Sequence, residues 1–381
     1  MNSVYSRLRV TLFATCLSLG SVSVPSFAVQ DVLETPAIKS DMAHRTLLLD
    51  VEKVGDRLVA VGARGHILIS SNEGRSWKQA DVPVSVLLTA VSFADEKYGW
   101  AVGHGGVVLH TQDGGETWIK QFDGNRANDM IITQAEKKVG ELEDKLDTAS
   151  EEELSDLEWA LEDAQFALED AHIDAEVGAS KPLLDVFFFD QNKGFAVGAY
   201  GFMFKTEDGG ESWENYGPRI ENQDRFHLNT IGQIEGGTLI LAGEAGVLFR
   251  SEDLGETWET VDSPYDGSFF GVTGTGEEDV ALVFGLRGNL FRSVDGGVTW
   301  EDVDANTENT LMGGDYTDSG NVSIVGNSGS VLISNDGGRS FNERIRENRL
   351  GNVATVFVDQ NKLVVVGENG ANMTNAAGQN L

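Results

Sequence analysis

The stretch HTQDGGETW, residues 110–118, decides the fold, because nearly the same phrase returns along most of the chain. Each copy begins with apolar β-forming residues, passes through a VGxxG-like turn and ends in a turn of the form S/T-x-D-x-G-x-S/T-W. The copies occupy residues 58–77, 99–118, 194–213, 239–258, 282–300, 322–341 and, in a degenerate form, 363–381. Their spacing is about 40 residues, apart from one long gap after residue 118, and such a period is typical of repeat architectures.

The repeats predict an all-β, seven-bladed β-propeller. A further apolar strand precedes the copies, as in residues 87–93 and 185–190, so each unit contains four strands. Four short strands in every forty or so residues are typical of propeller blades. The last residue falls where blade seven begins its outermost strand, so we expect residues 31–39 to supply a strand that closes the ring.

The aspartate of the repeated phrase is interpreted as a structural residue. Its carboxylate can accept N–H bonds within the turn, and the adjacent glycines permit positive φ. A catalytic residue occurs once in a site, whereas this one recurs in one unit after another. The recurring residues are Asp113, Asp208, Asp253, Asp295 and Asp336.

The charge of the chain excludes several classes of partner. The formal net charge is −33, and nucleic-acid phosphates are bound by Lys and Arg, so we expect no nucleic-acid partner. Adhesion to anionic lipid is disfavoured for the same reason. The six histidines show no close metal-ligand spacing, and the glycines belong to the repeated turns rather than to a phosphate-binding loop. We therefore expect neither a metal nor a cofactor.

The N-terminal 28 residues are predicted to be a secretory signal. Arg7 and Arg9 precede an apolar run, and Ser26-Phe27-Ala28 forms a small-x-small cleavage site. The run is too short for a convincing membrane span, so no membrane insertion is expected once it is removed. Cys16 lies within this segment, which leaves a mature chain without cysteine and favours a periplasmic protein.

The repeated turn is the Asp-box of sialidases and related propellers. Together with the VGxxG turn and the signal, it makes the chain most similar to the photosystem II stability/assembly factor-like family, over most of the mature residues. This resemblance implies a seven-bladed, non-enzymatic propeller that helps to assemble a membrane complex. Members from photosynthetic organisms bind a newly made photosystem subunit, and relatives in other bacteria often accompany RND-type transporters.

An insertion at residues 126–180 departs from the family pattern. Apolar residues step by three and four in two stretches, joined by Thr148-Ala149-Ser150, which predicts an antiparallel α-helical hairpin with a coiled-coil seam. The segment carries 17 acidic and 4 basic residues, a local charge of −13. Three apolar residues spaced by seven fall opposite the seam and either pack on the propeller or form a docking surface. They are Trp159, Phe166 and Ile173.

The VGxxG turns are expected on the face from which the insertion leaves. Their variable positions include four side chains that could surround one mouth and bind a partner, with arginine suited to a carboxylate. These are Arg64, His104, Tyr200 and Arg287. The alternative is ordinary surface variation between repeats.

The prediction for the whole chain is an exported, non-enzymatic assembly or accessory factor for a membrane complex, with an RND-type transporter as one candidate partner. The expected divisions are a signal at 1–28, blades 1–2 with the closing strand at 29–125, the helical insertion at 126–180 and blades 3–7 at 181–381. Two alternatives remain open: a sialidase-like or other glycan-active or glycan-binding propeller, and a scaffold that self-associates through the hairpin.

Overall fold

The computed structural model describes residues 31–375 and residue 379. The predicted signal at residues 1–28 lies outside these residues. The described chain contains twenty-seven strands and two α-helices, arranged as seven antiparallel sheets that follow one another in sequence. The seven sheets fit the seven predicted blades.

Sheets 1 to 4 each contain four strands in sequential order. Sheet 1 is β1 (Leu48–Val54), β2 (Arg57–Gly62), β3 (Ile67–Ser70) and β4 (Lys78–Gln79). Sheet 2 is β5 (Leu88–Phe93), β6 (Gly99–Gly103), β7 (Val108–Thr111) and β8 (Ile119–Phe122). Sheet 3 is β9 (Leu183–Phe188), β10 (Gly194–Gly198), β11 (Met203–Thr206) and β12 (Glu214–Asn215). Sheet 4 is β13 (Leu228–Gln233), β14 (Leu239–Gly243), β15 (Leu248–Ser251) and β16 (Glu259–Thr260).

Sheets 5 and 6 repeat this order, and sheet 7 has three strands within the described residues. Sheet 5 is β17 (Phe269–Gly274), β18 (Ala281–Gly285), β19 (Leu290–Ser293) and β20 (Glu301–Asp302). Sheet 6 is β21 (Leu311–Tyr316), β22 (Val322–Gly326), β23 (Ser330–Ser334) and β24 (Asn342–Ile345). Sheet 7 is β25 (Asn352–Asp359), β26 (Lys362–Gly367) and β27 (Gly370–Asn375).

The sheets form a closed ring. The first strand of each sheet packs against the first strand of the next, and β25 of sheet 7 packs against β1 of sheet 1. Buried apolar side chains fill this last junction, including Leu48 and Val51 on one side and Val356 and Val364 on the other. The structure is therefore an all-β, propeller-like fold in which apolar packing between sheets closes the ring.

The predicted closing strand at residues 31–39 is wrong in this structure. These residues form no strand, and they bind sheet 1 and the segment that follows it rather than sheet 7. The N–H of Ala37 donates to the carbonyl of Val82 at 3.0 Å, and the N–H of Ser85 donates to the carbonyl of Val32 at 2.9 Å. Leu33 is buried among residues of sheets 1 and 2, and this apolar contact holds the segment away from β27.

The repeated aspartates hold their turns through short-range hydrogen bonds. Asp113 Oδ1 accepts from Thr111 Oγ1 at 2.8 Å and from the N–H of Thr117 at 3.0 Å, and its Oδ2 accepts from Thr117 Oγ1 at 2.6 Å. The same three bonds recur in the equivalent turns of sheets 3 to 6. Partial burial acts to raise the pKa of Asp336, but the hydroxyl and N–H donors outweigh it and lower that pKa to about 2.

The insertion consists of α1 (Gly124–Leu146) and α2 (Leu154–Val177), which pack against each other. Asp123 caps α1, because its Oδ1 accepts from the N–H groups of Asn125 and Arg126. Asn128 near the start of α1 donates to the carbonyl of Gly178 just after α2 at 3.2 Å, so the two helices are antiparallel. The helical insertion thus begins two residues earlier than the sequence indicated.

Candidate functional site

Two faces of the ring differ in what they carry. On one face lie the repeated aspartate turns, which connect the third and fourth strands of each sheet. On the other face, here called the turn face, lie the tight turns between second and third strands, together with the connections between sheets. Since α1 and α2 follow the last strand of sheet 2, they also leave from the turn face.

The tight turns present their tip residues to solvent. Arg64, Tyr200 and Arg287 occupy equivalent tips with φ between 57° and 60°, and all three are exposed. In sheet 2 glycine takes that tip, so His104 stands one residue earlier and is exposed as well. Positive φ is unfavourable for residues other than glycine, so such a residue adopts it only where the surrounding structure holds the turn in place. These tips are therefore fixed positions that project from the face.

Three of the four predicted mouth residues stand on consecutive sheets. Arg64, His104 and Tyr200 belong to sheets 1, 2 and 3, which are consecutive in the ring. Arg287 belongs to sheet 5, and the turn of sheet 4, with Glu244 and an alanine tip, lies between it and Tyr200. That the four surround one mouth stays a prediction, with Arg287 two sheets away from Tyr200 in the ring.

Tyr200 has an aromatic and cationic environment. Its ring lies edge-on to His227 at 4.9 Å between ring centroids, and Lys181 Nζ lies 5.6 Å from its centroid. Lys181 is itself paired with Asp174 on α2. The tyrosine is 54% exposed, so one ring face remains open beside the base of the helix pair.

The helix pair is anchored to the turn face at several points. Ala127 of α1 is buried in the apolar cluster of sheets 2 and 3. Gln134 Oε1 accepts from Asn215 Nδ2 at 2.7 Å, and Asp170 of α2 lies 3.6 Å from Arg225 in the connection between sheets 3 and 4. These contacts fix the orientation of both helices relative to sheet 3.

The stripe, defined as Trp159, Phe166 and Ile173 on α2, does not pack on the ring. Their exposed fractions are 67%, 59% and 54%. The opposite side of α2 is covered, since Ala171 is buried and Leu161 is half-buried against α1. The sequence left open whether the stripe packs on the propeller or forms a docking surface, and in the structure it does not pack on the propeller.

Sequence reasoning missed a set of acidic residues inside the ring. The first strands surround a central cavity of about 760 Å³, and its wall includes Asp50, Glu52, Asp185 and Asp315. Three of these carboxylates accept from the N–H of the neighbouring sheet. Asp50 bonds Val91 at 2.9 Å, Asp185 bonds Ile231 at 2.9 Å and Asp315 bonds Phe357 at 2.6 Å.

These carboxylates hold protons unusually tightly. Burial raises the pKa of Asp50 and of Asp315 to about 6, against the opposing effect of the N–H donors. Burial, with a further contribution from the charge of Asp50, raises the pKa of Asp185 to about 7. Burial and the Asp50 charge also raise the pKa of Glu52 well above its usual range. The sequence feature that could have indicated these acids is an aspartate at the third residue of a first strand, as in LLD at residues 48–50 and again at residues 183–185.

Neither a metal-binding cluster nor a helix able to span a membrane occurs in the part of the chain that the structure describes. Within residues 31–375, no group of three or more His, Cys, Asp or Glu side chains is arranged to hold a metal ion. The acids of the cavity instead act as bridges between sheets. Neither helix of the described chain combines the length and apolar character that crossing a membrane requires.

Seven sheets around a central cavity, with a helix pair and projecting turns on one face, define the class as a propeller-like protein. The chain belongs to the family described as photosynthesis system II assembly factor YCF48, whose family model matches residues 43–137 and 167–314. The segment between the two matched parts, residues 138–166, covers the tip of the helix pair.

Curated relatives and solved structures agree with that assignment. The photosystem II stability/assembly factor HCF136 of Cyanidioschyzon merolae is 38% identical over 80 residues, 19% of this chain and 18% of that protein. The factor of the same name from Arabidopsis thaliana is 26% identical over 132 residues, 32% of each chain. The matched part thus spans a third or less of these curated relatives.

Two solved structures illustrate the shared fold. The structure described as YCF48 bound to D1 peptide superposes with a TM-score of 0.59 at 15% identity, covering 90% of this chain and 98% of that one. The WD40 β-propeller domain of Doa1 superposes with a TM-score of 0.58 at 8% identity, covering 89% and 94%. At these identities the likeness concerns the fold alone.

Proposed function

We propose that this protein is an exported, non-enzymatic assembly factor that binds a membrane-protein partner through the turn face. One observation carries the proposal: this face presents Arg64, His104 and Tyr200 as exposed residues of tight turns on three consecutive sheets, next to an anchored helix pair. A guanidinium and an open aromatic ring suit a peptide segment that ends in, or contains, a carboxylate. Such a binding mode requires no reacting group on the protein.

Family membership supports the same role. Its relatives are named photosystem II stability/assembly factors, and one structural neighbour is described as bound to a peptide of D1. We propose that this chain likewise binds a segment of a membrane protein, and we do not assign that partner to a photosystem. An RND-type transporter is one candidate partner, and no residue of the chain favours it over other membrane complexes.

A sialidase-like activity is less well supported by the geometry. Such a site needs arginines gathered around one carboxylate, together with a tyrosine nucleophile. Arg64 and Arg287 are the two arginines at tips of the tight turns within the described residues, and they stand on sheets that are not adjacent. Because the two arginines are separated, peptide binding by Arg64, His104 and Tyr200 is better supported than a pocket for a sugar acid.

Recovery of the partner from membranes tests the proposal. The mature chain is used to capture proteins from detergent-solubilised membranes, beside a variant with Arg64→Ala, His104→Ala and Tyr200→Ala. A control variant carries Val294→Ser and Val298→Ser, two exposed residues in the aspartate turn of sheet 5 on the opposite face. We expect one membrane protein to be enriched with the native chain and the control and lost with the triple variant.

Two results would contradict the proposal. Equal recovery with all three proteins would show that the turn face is not the binding surface. Recovery of soluble proteins alone, or hydrolysis of sialylated glycans by the native chain, would reject an assembly role. Export is tested separately, because a signal cleaved after Ala28 gives a periplasmic chain whose N-terminal residue by mass spectrometry is Val29.

A further inference from the structure

The exposed stripe on α2 is the largest unexplained apolar feature of the helix pair. Trp159, Phe166 and Ile173 are each more than half exposed although they are large apolar side chains. Residues spaced by seven lie on one side of a helix, so the stripe runs about 21 Å along α2 at 1.5 Å per residue. Three large apolar side chains in line on an otherwise charged face are typical of a surface that another helix covers.

The charges around the stripe are arranged on both of its sides. Trp159 is followed at three and four residues by Glu162 and Asp163, and Phe166 is followed in the same way by Glu169 and Asp170. Residues three and four apart are neighbours on a helix surface, and they lie on opposite sides of the residue that precedes them. The stripe is therefore bordered by two rows of carboxylates.

Three of these four carboxylates have no counter-charge among the described residues. Asp170 is paired with Arg225 at 3.6 Å. Glu162, Asp163 and Glu169 are exposed, and no cation of residues 31–375 forms an ion pair with them. A partner that brings cations to both rows would gain from charge pairing at little desolvation cost.

We infer that the stripe is the docking surface for an amphipathic helix whose apolar line is flanked by Lys or Arg. The inference rests on the proposed function, since it assigns to the partner a basic helical segment in addition to what binds the turn face. A second copy of this chain fits poorly, because residues 126–180 carry a net charge of −13 and two such hairpins would place like charges opposite each other.

Binding of a model helix tests the inference without knowledge of the partner. The probe is a fluorescent peptide of about three heptads with Leu at the a and d positions and Lys elsewhere, compared with the same peptide carrying Glu in place of Lys. Anisotropy is measured with the full mature chain. We expect the Lys peptide to bind, the Glu peptide to bind at least tenfold more weakly, and added salt to weaken the Lys complex.

Matched variants separate apolar docking from general attraction to an acidic protein. Trp159→Ser, Phe166→Ser and Ile173→Ser together keep every charge, and we expect at least a tenfold loss of affinity, because buried aromatic anchors dominate such interfaces. A control with Leu254→Ser, Val294→Ser and Val298→Ser removes exposed apolar residues from the opposite face and should bind as the native chain does. The substituted sites are exposed, and circular dichroism verifies the fold.

Each outcome decides the inference. Unchanged binding by the stripe variant would overturn it, because the peptide would then be held by charge alone. A dimer of the native chain in sedimentation that dissociates on substituting the stripe would also overturn it, in favour of self-association. Capture of the membrane partner equally well with and without the stripe would reject the inference while leaving the proposed function intact.

Discussion

The substitution Asp185→Asn tests whether the carboxylates inside the ring are held as the structure indicates. The pKa of Asp185 is about 7, against an ordinary value of 3.8. The folded chain therefore binds this proton more tightly than the unfolded chain. The stability contributed by the group is fully present below about pH 4 and is lost as the pH rises through about 7.

The expected magnitude follows from that difference. A difference of one pKa unit corresponds to about 1.4 kcal/mol, so the raised pKa of Asp185 corresponds to a cost of about 4 kcal/mol for ionising it inside the ring. Water in the cavity screens the charge and reduces this cost to roughly 2–4 kcal/mol. Asparagine does not ionise and so avoids this cost, but its side chain has only one acceptor oxygen for the two N–H groups of Val186 and Ile231. The missing acceptor costs about 1–3 kcal/mol at every pH.

The assay is urea unfolding of the native chain and the variant at about pH 5 and about pH 8. We expect Asp185→Asn to be less stable by about 1–3 kcal/mol at the lower pH and equal to or more stable than the native chain at the higher pH. Asp113→Asn is the matched control. Partial burial of Asp113 is outweighed by its hydroxyl and N–H donors, which lower its pKa, so its stability difference is constant over this range. A constant difference for both variants would refute the reasoning.

Four further predictions concern the sheets, the turns and the helix pair. Trp100→Ala should lower the free energy of unfolding in urea by about 3–5 kcal/mol, because this fully buried ring stacks on Phe188 with centroids 3.5 Å apart. Asp253→Ala should lower it by about 1–2 kcal/mol through loss of the turn bonds, with binding of the membrane partner unchanged in the capture assay. Gly246→Ala should prevent folding as judged by circular dichroism, because φ is +79° and the new Cβ would lie 2.0 Å from a carbonyl oxygen. Gly140→Ala in α1, which meets no atom within 4 Å, should instead raise the melting temperature slightly.

The parts of the fold that the sequence predicted depend on short-range interactions. Every hydrogen bond of an aspartate turn, such as that of Asp113, joins atoms within a few residues of each other, so one copy of the phrase contains all the information. Counting copies then indicates seven units. The helix pair is similar, because its apolar spacing and its short connection are both local features of residues 126–180.

The arrangement of the candidate site could be predicted only in part. The sequence indicates which side chains occupy the tight turns, because the flanking glycines mark those positions. It does not indicate how far apart those turns lie on the ring. Neighbourhood depends on the order of sheets around the ring, where one further turn separates Arg287 from Tyr200.

By itself, then, the sequence determined the repeated strands, the turn chemistry, the helix pair and the large negative charge, since each is encoded in spacing or composition. The tertiary structure decided where residues 31–39 bind, because Leu33 is buried only where sheets 1 and 2 meet. It also decided the environment of Asp50 and Asp185, each of which accepts from an N–H of the next sheet, 41 and 46 residues further along the chain respectively. Closing the ring brings those donors into place and half-buries these carboxylates in the wall of the central cavity, and that burial raises their pKa.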